Sequence, residues 1–195
     1  MSKAQDTRMM ILQKAFELIY RQGFQATSID EIIATTNLTK GALFYHFKNK
    51  EEMGLAIINE VMYPGLSAYM NPQINRTGNI REDLYAMMSN LLLQAPFFKV
   101  EYGCPAVNLI DEMAPLNKSF QTALTRIVRQ WQGAIESAIL RAQAEGRFNP
   151  ANDAKDIAIY IVSNYSGIRN MGKLFGRKAY TSFLKAFKDY LDRLS

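Results

Sequence analysis

The stretch TNLTKGALFYHFKNKEE, residues 36–52, contains the only histidine of the chain together with three lysines and three aromatic residues. Thr39 stands where a helix cap is expected, so the sequence predicts a short helix that runs to Phe47. Gly41 and Ala42 are small and leave space around the first turn of this helix. The stretch therefore predicts a helix whose N-terminal end is open and which carries basic and aromatic side chains.

A second short helix is predicted immediately upstream. Ser28 and Glu31 have the S-x-x-E spacing of a capping box, which predicts a helix from Ser28 to Thr35. Two short helices joined by a four-residue connection are typical of a helix-turn-helix. The second helix of that motif enters the major groove of DNA with its N-terminal residues near the base edges.

Polar side chains on and after the predicted recognition helix are suited to DNA. They can bind base edges or the sugar-phosphate backbone. Lys50 and the free N–H groups at the start of the fourth helix form a further anion site. A structural alternative remains, in which Phe44 and Phe47 anchor the helix in the core and the single histidine has no role in binding. The side chains predicted to contact DNA are Lys40, Tyr45, His46 and Lys50.

The rest of the chain predicts an all-α protein with about nine helices. Apolar residues recur at spacings of three and four, while strand-like alternation is absent. The first helix should end at Gly23, and Pro64-Gly65 with residues 71–79 should end the fourth and form a loop. The fifth helix should reach Pro96. The sixth helix is predicted to begin at Cys104-Pro105, and the seventh to run from Phe120 to before Gly146. The eighth is predicted over 156–175, and the last along an apolar stripe over 180–194.

The last two predicted helices suggest an association between subunits. Apolar residues lie on more than one face of residues 156–175, so this helix should be covered on two sides. The final helix is amphipathic. A homodimer formed through these two helices is the preferred interpretation, and a wholly intramolecular core is the alternative.

Composition and charge restrict the classes of protein. The net charge is +5, and residues 1–50 contribute seven Lys/Arg against four Asp/Glu. No apolar run reaches the roughly 20 residues that cross a bilayer, and the N-terminal residues do not look like a secretory signal. We therefore expect a cytoplasmic protein with no membrane partner. The single cysteine cannot form an internal disulfide.

The sequence gives little support to an enzyme. One histidine and one cysteine, far apart, make neither a zinc site nor a catalytic triad, so no metal or cofactor is expected. Residues 167–174 nearly match a phosphate-binding loop, but Leu174 lacks the hydroxyl that holds magnesium. A helical interaction protein with a merely solvated basic surface remains as the alternative function. The predicted solvated basic end of the eighth helix comprises Arg169, Lys173, Arg177 and Lys178.

The motifs resemble the N-terminal module of the tetracycline-repressor (TetR) family of transcriptional regulators. The likeness covers about the first 60 residues and lies in residues 23–32 and 39–51, GFQATSIDEI and TKGALFYHFKNKE. One departure is Phe44, where the family commonly has tyrosine. By motif position, the resemblance implies a DNA-binding set of Thr27, Ser28, Thr39, Lys40, Gly41, Ala42, Leu43, Tyr45, His46 and Lys50, with Thr27, Tyr45, His46 and Lys50 on phosphates and Thr39, Lys40, Ala42 and Leu43 nearest the bases.

The resemblance also implies an architecture and a function. A three-helix DNA-binding domain, residues 1–50, would precede a helical effector-binding and dimerisation domain, residues 51–195. The expected protein is a homodimeric repressor that a small molecule releases from a double-stranded, near-palindromic DNA operator. Effector contacts are expected from polar side chains inside apolar helices and from apolar walls, although core packing is the alternative for each. The candidates are Met87, Leu91, Phe98, Cys104, Asn108, Met113, Trp131, Asn164 and Tyr165.

Cys104 has a second predicted role. If Pro105 is the first residue of a helix, the helix dipole favours a thiolate at Cys104, and such a thiol reacts with electrophiles or oxidants. Residues 103–109, GCPAVNL, also resemble a Gly-Cys-x-x-x-Asn-Leu segment in a branch of the family that includes sensors of reactive electrophiles. The alternative is a small buried residue that fills a gap.

Overall fold

The computed structural model describes residues 2–70, 74 and 77–194. The predicted all-α fold is confirmed, since nine helices and no strand occur in these residues. Most of the loop predicted over 71–79 (positions 71–73, 75 and 76) lies outside the described residues. The helices are α1 Lys3–Gln22, α2 Ile29–Ala34, α3 Lys40–His46, α4 50–70, α5 80–94, α6 Pro105–Met113, α7 Lys118–Ala144, α8 Ala154–Phe175 and α9 Arg177–Arg193.

The prediction that Pro64-Gly65 ends the fourth helix is wrong. Helix α4 continues through both residues to Met70, and its middle part, Ile57–Met62, widens into a π-helix. The N–H of Tyr63 donates to the carbonyl of Ile58, five residues back. Proline has no N–H to donate. A π-helical turn just before it changes which carbonyls need donors, and the helix therefore continues through the proline.

The described residues form two compact units. The first contains the described residues of Met1–Gly65 together with Asn108–Thr125, and the second contains those of Leu66–Val107 and Arg126–Ser195. Helix α6 therefore contributes to both units. The domain boundary predicted at residue 50 does not coincide with the limits of these units, and it stays a prediction.

In the first unit, α4 comes close to the turn between α1 and α2. A Cβ atom on Gly54 would lie 2.5 Å from Cε2 of Phe24 and 2.7 Å from Cζ of Phe120. The rings of Phe24 and Phe120 meet edge to face, with 5.0 Å between their centroids. Glycine at position 54 is thus required by this packing, which fixes the turn against the helix that follows α3.

In the second unit, α8 packs one face against the core and leaves another exposed. Gly172 on α8 allows close approach of Tyr180 on α9, because an added Cβ would lie 2.4 Å from Cε1 of that ring. Gly176, with a φ of +70°, makes the turn between the two helices. No helix in the described ranges is long and apolar enough to cross a membrane.

Candidate nucleic-acid interface and buried polar cluster

Local capping fixes the two short helices, as predicted. The hydroxyl of Ser28 accepts a hydrogen bond from the N–H of Glu31 (3.1 Å), and the Glu31 carboxylate accepts one from the N–H of Ser28 (2.7 Å). This backbone hydrogen bond, with the Ser28 hydroxyl, lowers the pKa of Glu31. The hydroxyl of Thr39 accepts from the N–H of Ala42 at 3.2 Å. The cap side chains of both helices therefore stabilise the helices themselves.

The exposed face of α3 carries most of the predicted contact residues. Tyr45 is 81% exposed, and Gly41 has no side-chain neighbour closer than 4.0 Å. The ammonium of Lys40 lies 2.8 Å from a carboxylate oxygen of Asp30, and both side chains are largely exposed. A surface ion pair of this kind is worth about 0 to 1 kcal/mol, so Lys40 can exchange Asp30 for another anion.

Two of the implied DNA contacts are buried side chains. Leu43 and Thr27 are both 0% exposed, and the Thr27 hydroxyl donates to the carbonyl of Gly23 at 2.7 Å. Neither side chain reaches the surface, which removes Leu43 from the base-contact set and Thr27 from the phosphate-contact set. Phe47 is a core residue, as predicted, but Phe44 is 42% exposed and is not. Leu43 and Phe47 lie one helical turn apart and mark the buried face of α3.

Lys50 is bound to the protein's own backbone. Its ammonium donates to the carbonyls of Phe24 (3.0 Å), Gln25 (3.3 Å) and Thr27 (2.9 Å). It also lies 4.7 Å from the centroid of the Phe24 ring. The side chain therefore stabilises the turn that leads into α2, and its implied phosphate contact stays a prediction.

Arg8 and Glu112 support the motif from outside it, and sequence reasoning did not find them. Arg8 donates to the carbonyl of His46 (2.9 Å) and pairs with Glu60, and the hydrogen bond to Glu60 raises its pKa. Its guanidinium also lies 4.3 Å from the centroid of the Phe47 ring. The side chain thus fixes the C-terminal end of α3 to α1 and α4, and no spacing in the sequence signals this role.

Glu112, near the end of α6, binds the turn between α1 and α2. Its two carboxylate oxygens accept hydrogen bonds from the N–H groups of Phe24 (2.8 Å) and Gln25 (2.7 Å). Gly23, with a φ of +95°, precedes these N–H groups, and an added Cβ would meet the carboxylate at 3.3 Å. The turn is therefore held by a carboxylate on its N–H groups and by the Lys50 ammonium on its carbonyls.

The effector candidates divide into three groups. Most lie in the second unit, where Phe98 is half-buried and the others are buried: Met87, Leu91, Cys104, Trp131 and Tyr165. Asn108 and Met113 belong to the first unit. Asn164 donates to the carbonyl of Tyr160 on its own helix and lines an open groove with Ser163, Gly167 and Phe183. Asn164 thus faces outward, which argues against its predicted effector contact.

Arg169 is not part of a solvated basic end, and that prediction is wrong. The side chain is 0% exposed and donates to the carbonyl of Leu91 and, at 3.4 Å, to the hydroxyl of Tyr180. Burial acts to lower its pKa, but interaction with Tyr165 and Cys104 outweighs burial and raises the pKa overall. Arg169 continues the buried stripe of Ala158, Ile161, Val162 and Tyr165, which is the signal that could have found it.

Tyr165, Trp131 and Cys104 lie around this arginine. The rings of Trp131 and Tyr165 meet edge to face with 4.9 Å between centroids. Burial, followed by interaction with Cys104, raises the pKa of Tyr165 well above its ordinary value. Cys104 is 2% exposed and directly precedes Pro105, the first residue of α6, as predicted. No group of three or more His, Cys, Asp or Glu side chains suited to a metal occurs in the described part of the chain.

The role of Lys50 leads to a prediction about stability. Lys50→Met should lower the free energy of unfolding by about 1 to 3 kcal/mol, because three carbonyls lose their donor. Lys48→Met, at an exposed position on the same segment, should change it by less than about 0.5 kcal/mol. Urea unfolding followed by circular dichroism measures both, and equal stability of the two variants would contradict the structural role of Lys50.

Comparisons with known proteins agree with this fold. The family model "Bacterial regulatory proteins, tetR family" matches residues 11–57, and "Tetracyclin repressor-like, C-terminal domain" matches residues 81–187. An uncharacterised HTH-type transcriptional regulator in the lacX 3' region of Lactococcus lactis is 29% identical over 130 residues, which span 67% of this chain and 66% of that protein, just under two thirds of its length.

Two further proteins are similar over most of the chain. The HTH-type transcriptional repressor NemR of Escherichia coli (strain K12) is 25% identical over 145 residues, which span 74% of this chain and 70% of NemR. The crystal structure of a TetR-family transcriptional regulator from Cytophaga hutchinsonii superposes with a TM-score of 0.90 at 20% sequence identity. The superposition covers 100% of this chain and 98% of that protein's chain. The second family model alone matches more than half of the chain, and the chain therefore belongs to the TetR family of transcriptional regulators.

Proposed function

We propose that the protein is a ligand-responsive, DNA-binding transcriptional regulator and not an enzyme. It acts as a homodimeric repressor that leaves a near-palindromic operator when a small molecule binds or when Cys104 is modified. The observation that carries the proposal is the exposed face of α3, where a largely solvent-accessible Tyr45 and a weakly paired Lys40 flank an open N-terminal turn. Family membership supports the same function.

Each residue of α3 has a proposed role at the DNA. Thr39, Lys40 and Ala42 lie at the N-terminal end, which enters the major groove, and Lys40 reads a base edge there. Tyr45 and His46 lie at the other end and bind the sugar-phosphate backbone. Arg8 and the capping hydroxyls of Ser28 and Thr39 act indirectly, because they fix the positions of the two short helices. Lys50 binds a phosphate, as the resemblance implies, besides stabilising the turn before α2. Ser28 and Gly41 contribute backbone N–H groups and close approach.

The two subunits associate through α8 and α9. The exposed face of α8 presents Tyr160, Met171 and Leu174, which are 42%, 46% and 75% exposed. Between them lie Ser163 and Gly167, which line the open groove and let a partner helix approach closely. Residues 160, 163, 167, 171 and 174 follow the three- and four-residue spacing of a helix-packing seam. A dimer sets two α3 helices about 34 to 36 Å apart, one turn of B-DNA. Sedimentation of the purified chain as a monomer alone would contradict this arrangement.

Helix α6 couples the effector side to the DNA-binding side. Cys104 precedes its first residue, and Glu112, near its last turn, holds the N–H groups that lead into α2. Cys104 is buried, so an addition to its sulfur displaces the side chains around it, and α6 moves with them. Movement of α6 carries the Glu112 carboxylate with it and displaces the helix-turn-helix. Coupling of this kind is typically worth about 1 to 3 kcal/mol, or about 5- to 150-fold in affinity.

The roles on α3 predict two different defects in DNA binding. Tyr45→Ala should weaken binding to every sequence by about 1 kcal/mol, without changing the salt dependence, because a neutral hydroxyl is lost. Lys40→Ala should instead relax base preference at one position, with a loss of about 1 to 3 kcal/mol of discrimination. Selection of bound sequences from a random pool, with affinities measured at two salt concentrations, reads out both effects.

Lys14→Ala is the matched control for the lysine variant. It breaks a similar surface ion pair, with Glu17 at 3.3 Å, but lies on α1. It should leave base preference intact. If the native chain binds DNA with no salt dependence, or if Lys40→Ala and Tyr45→Ala cause the same loss of preference, the proposed interface is wrong and a helical interaction protein becomes the better explanation.

Cys104 generates a prediction about release. N-ethylmaleimide adds its alkene carbon to the thiolate, and the modified protein should bind its operator about 5- to 150-fold more weakly than the untreated protein. Cys104→Ser should bind the operator normally and keep its affinity after the same treatment. Because this is the only cysteine, the control needs no further substitution. An unchanged response in Cys104→Ser would exclude Cys104 as the sensor.

A further inference from the structure

The second unit contains a buried positive charge without a negative partner. The guanidinium of Arg169 is 0% exposed, and no carboxylate of the described residues forms an ion pair with it. Its two terminal nitrogens donate to the carbonyl of Leu91 and to the hydroxyl of Tyr180, whereas Nε has no hydrogen-bond partner. A buried charge that is only partly hydrogen-bonded is costly, and buried charges in proteins are normally paired.

Aromatic rings surround this charge without neutralising it. The central carbon of the guanidinium lies 4.7, 5.1 and 5.5 Å from the ring centroids of Phe98, Tyr165 and Tyr180. Cation–π attraction of this kind stabilises the charge and fixes the plane of the guanidinium. The rings do not accept the Nε–H, which therefore remains available to an acceptor from outside the chain.

Two more buried donors belong to residues that adjoin this arginine through ring contacts. In the described residues, the buried side-chain polar atoms without a hydrogen-bond partner are Nε of Arg169, the hydroxyl of Tyr165 and Nε1 of Trp131. Edge-to-face packing joins the Trp131 and Tyr165 rings, and the Arg169 guanidinium lies beside Tyr165. Each of the three atoms carries a hydrogen that it can donate. Orphaned buried polar atoms are rare, and three adjoining donors call for an acceptor.

The chemistry of these donors selects the acceptor. A water molecule could accept their hydrogen bonds, but it would leave the charge of Arg169 without a counter-charge. A carboxylate supplies both, since its two oxygens accept several hydrogen bonds and match the planar guanidinium. Leu91, whose carbonyl binds Arg169, is 1% exposed, and the Phe98 ring lies over the guanidinium, so the remainder of a ligand here would meet apolar atoms.

We propose that Arg169, Tyr165 and Trp131 form the recognition site for an effector that carries a carboxylate on a small apolar body. The inference rests on the proposed function, because it specifies the ligand of the effector domain. Arg169 neutralises the carboxylate, Tyr165 and Trp131 donate to its oxygens, and the rings hold the apolar part. A Cβ added to Gly103, the residue before Cys104, would lie 3.5 Å from the carbonyl oxygen of Arg169, so a ligand in this site lies near the segment that begins α6.

Trp131 is the only tryptophan of the chain, which gives the site its own fluorescent reporter. The experiment is a fluorescence titration of the full-length protein, without DNA, with benzoate and hexanoate and with their uncharged amides, benzamide and hexanamide. The carboxylates should bind about ten- to hundredfold more tightly than the amides, as expected for a charge-assisted hydrogen bond. Equal binding of acids and amides, or no saturable response to either acid, would overturn the proposal.

Three variants locate the effect. Arg169→Met has a similar volume and should abolish the preference for acids over amides. Tyr165→Phe keeps the ring and should weaken acid binding about fivefold or more, because one donor to the carboxylate is lost. Arg177→Met is the control, because Arg177 is exposed and donates to the carbonyl of Leu93. If Arg169→Met does not fold, Tyr165→Phe decides the question.

The titration is independent of DNA binding. A protein that binds an operator but shows no preference for carboxylates retains its proposed function and refutes the recognition site. A protein that prefers carboxylates but binds no duplex supports the site as a ligand site and refutes the regulator. If Arg169→Met keeps the acid preference while folding normally, Arg169 is a structural residue and the proposal is wrong.

Discussion

The carboxylate of Glu112 holds the turn from which the helix-turn-helix begins. Two consecutive backbone N–H groups, those of Phe24 and Gln25, have this carboxylate as their acceptor at 2.8 and 2.7 Å. On the other side of the same turn the Lys50 ammonium binds three carbonyls. Hydrogen bonds to charged groups are worth more than those between neutral groups, about 1.5 to 3 kcal/mol. The position of α2, and of α3 after it, therefore depends on a side chain 87 residues further along the chain.

This interaction connects two parts of the molecule with different requirements. The DNA-binding surface needs a stable arrangement of α3, which Arg8, the caps and the Lys50 ammonium supply locally. The proposed regulation needs that arrangement to depend on events elsewhere, and an element that contacts the turn and also contributes residues to the second unit meets both needs. Helix α6 is such an element, because Cys104 lies at one end and Glu112 near the other. Allostery requires two sites and an element whose position both of them influence.

Arg169 in the second unit contrasts with the partly buried Glu112. Glu112 has both carboxylate oxygens satisfied, while Arg169 has an orphaned Nε and no counter-charge. Fully satisfied buried polar groups stabilise one conformation, whereas incompletely satisfied groups favour whatever ligand completes them. The hydrogen bonding of the two side chains thus distinguishes the structural contact of Glu112 from the proposed binding site around Arg169. It also explains why a cationic side chain persists among aromatic rings, where a hydrophobic residue of similar size would pack without a desolvation cost.

The sequence predicted what local chemistry determines. Ser28 and Thr39 cap their helices as expected, and Gly23 ends α1, because each of these roles depends only on residues within one turn. Local rules failed at Pro64, since the preceding π-helix accommodates the missing N–H. Burial is set by tertiary contacts, so motif position placed Leu43 and Thr27 at the DNA although both side chains are in the core.

Functional contacts between distant residues were the hardest to foresee. Glu112 and Arg8 act on backbone groups far away in sequence, and no periodicity marks them. Arg169 was predicted to be solvated because its neighbours in the sequence are basic, although it continues a buried stripe on α8. Hydrophobic periodicity shows which face of a helix is buried. A charged residue on such a buried face indicates function rather than packing.

The most direct test of this account is amide hydrogen exchange at Phe24 and Gln25, measured by NMR in the native chain and in Glu112→Gln. If Glu112 holds the turn, both amides exchange slowly in the native chain. In the variant, exchange at these amides and across α3 should be about tenfold faster or more, because one charged acceptor is lost. Equally slow exchange in both proteins would contradict the claim that Glu112 holds the helix-turn-helix in place.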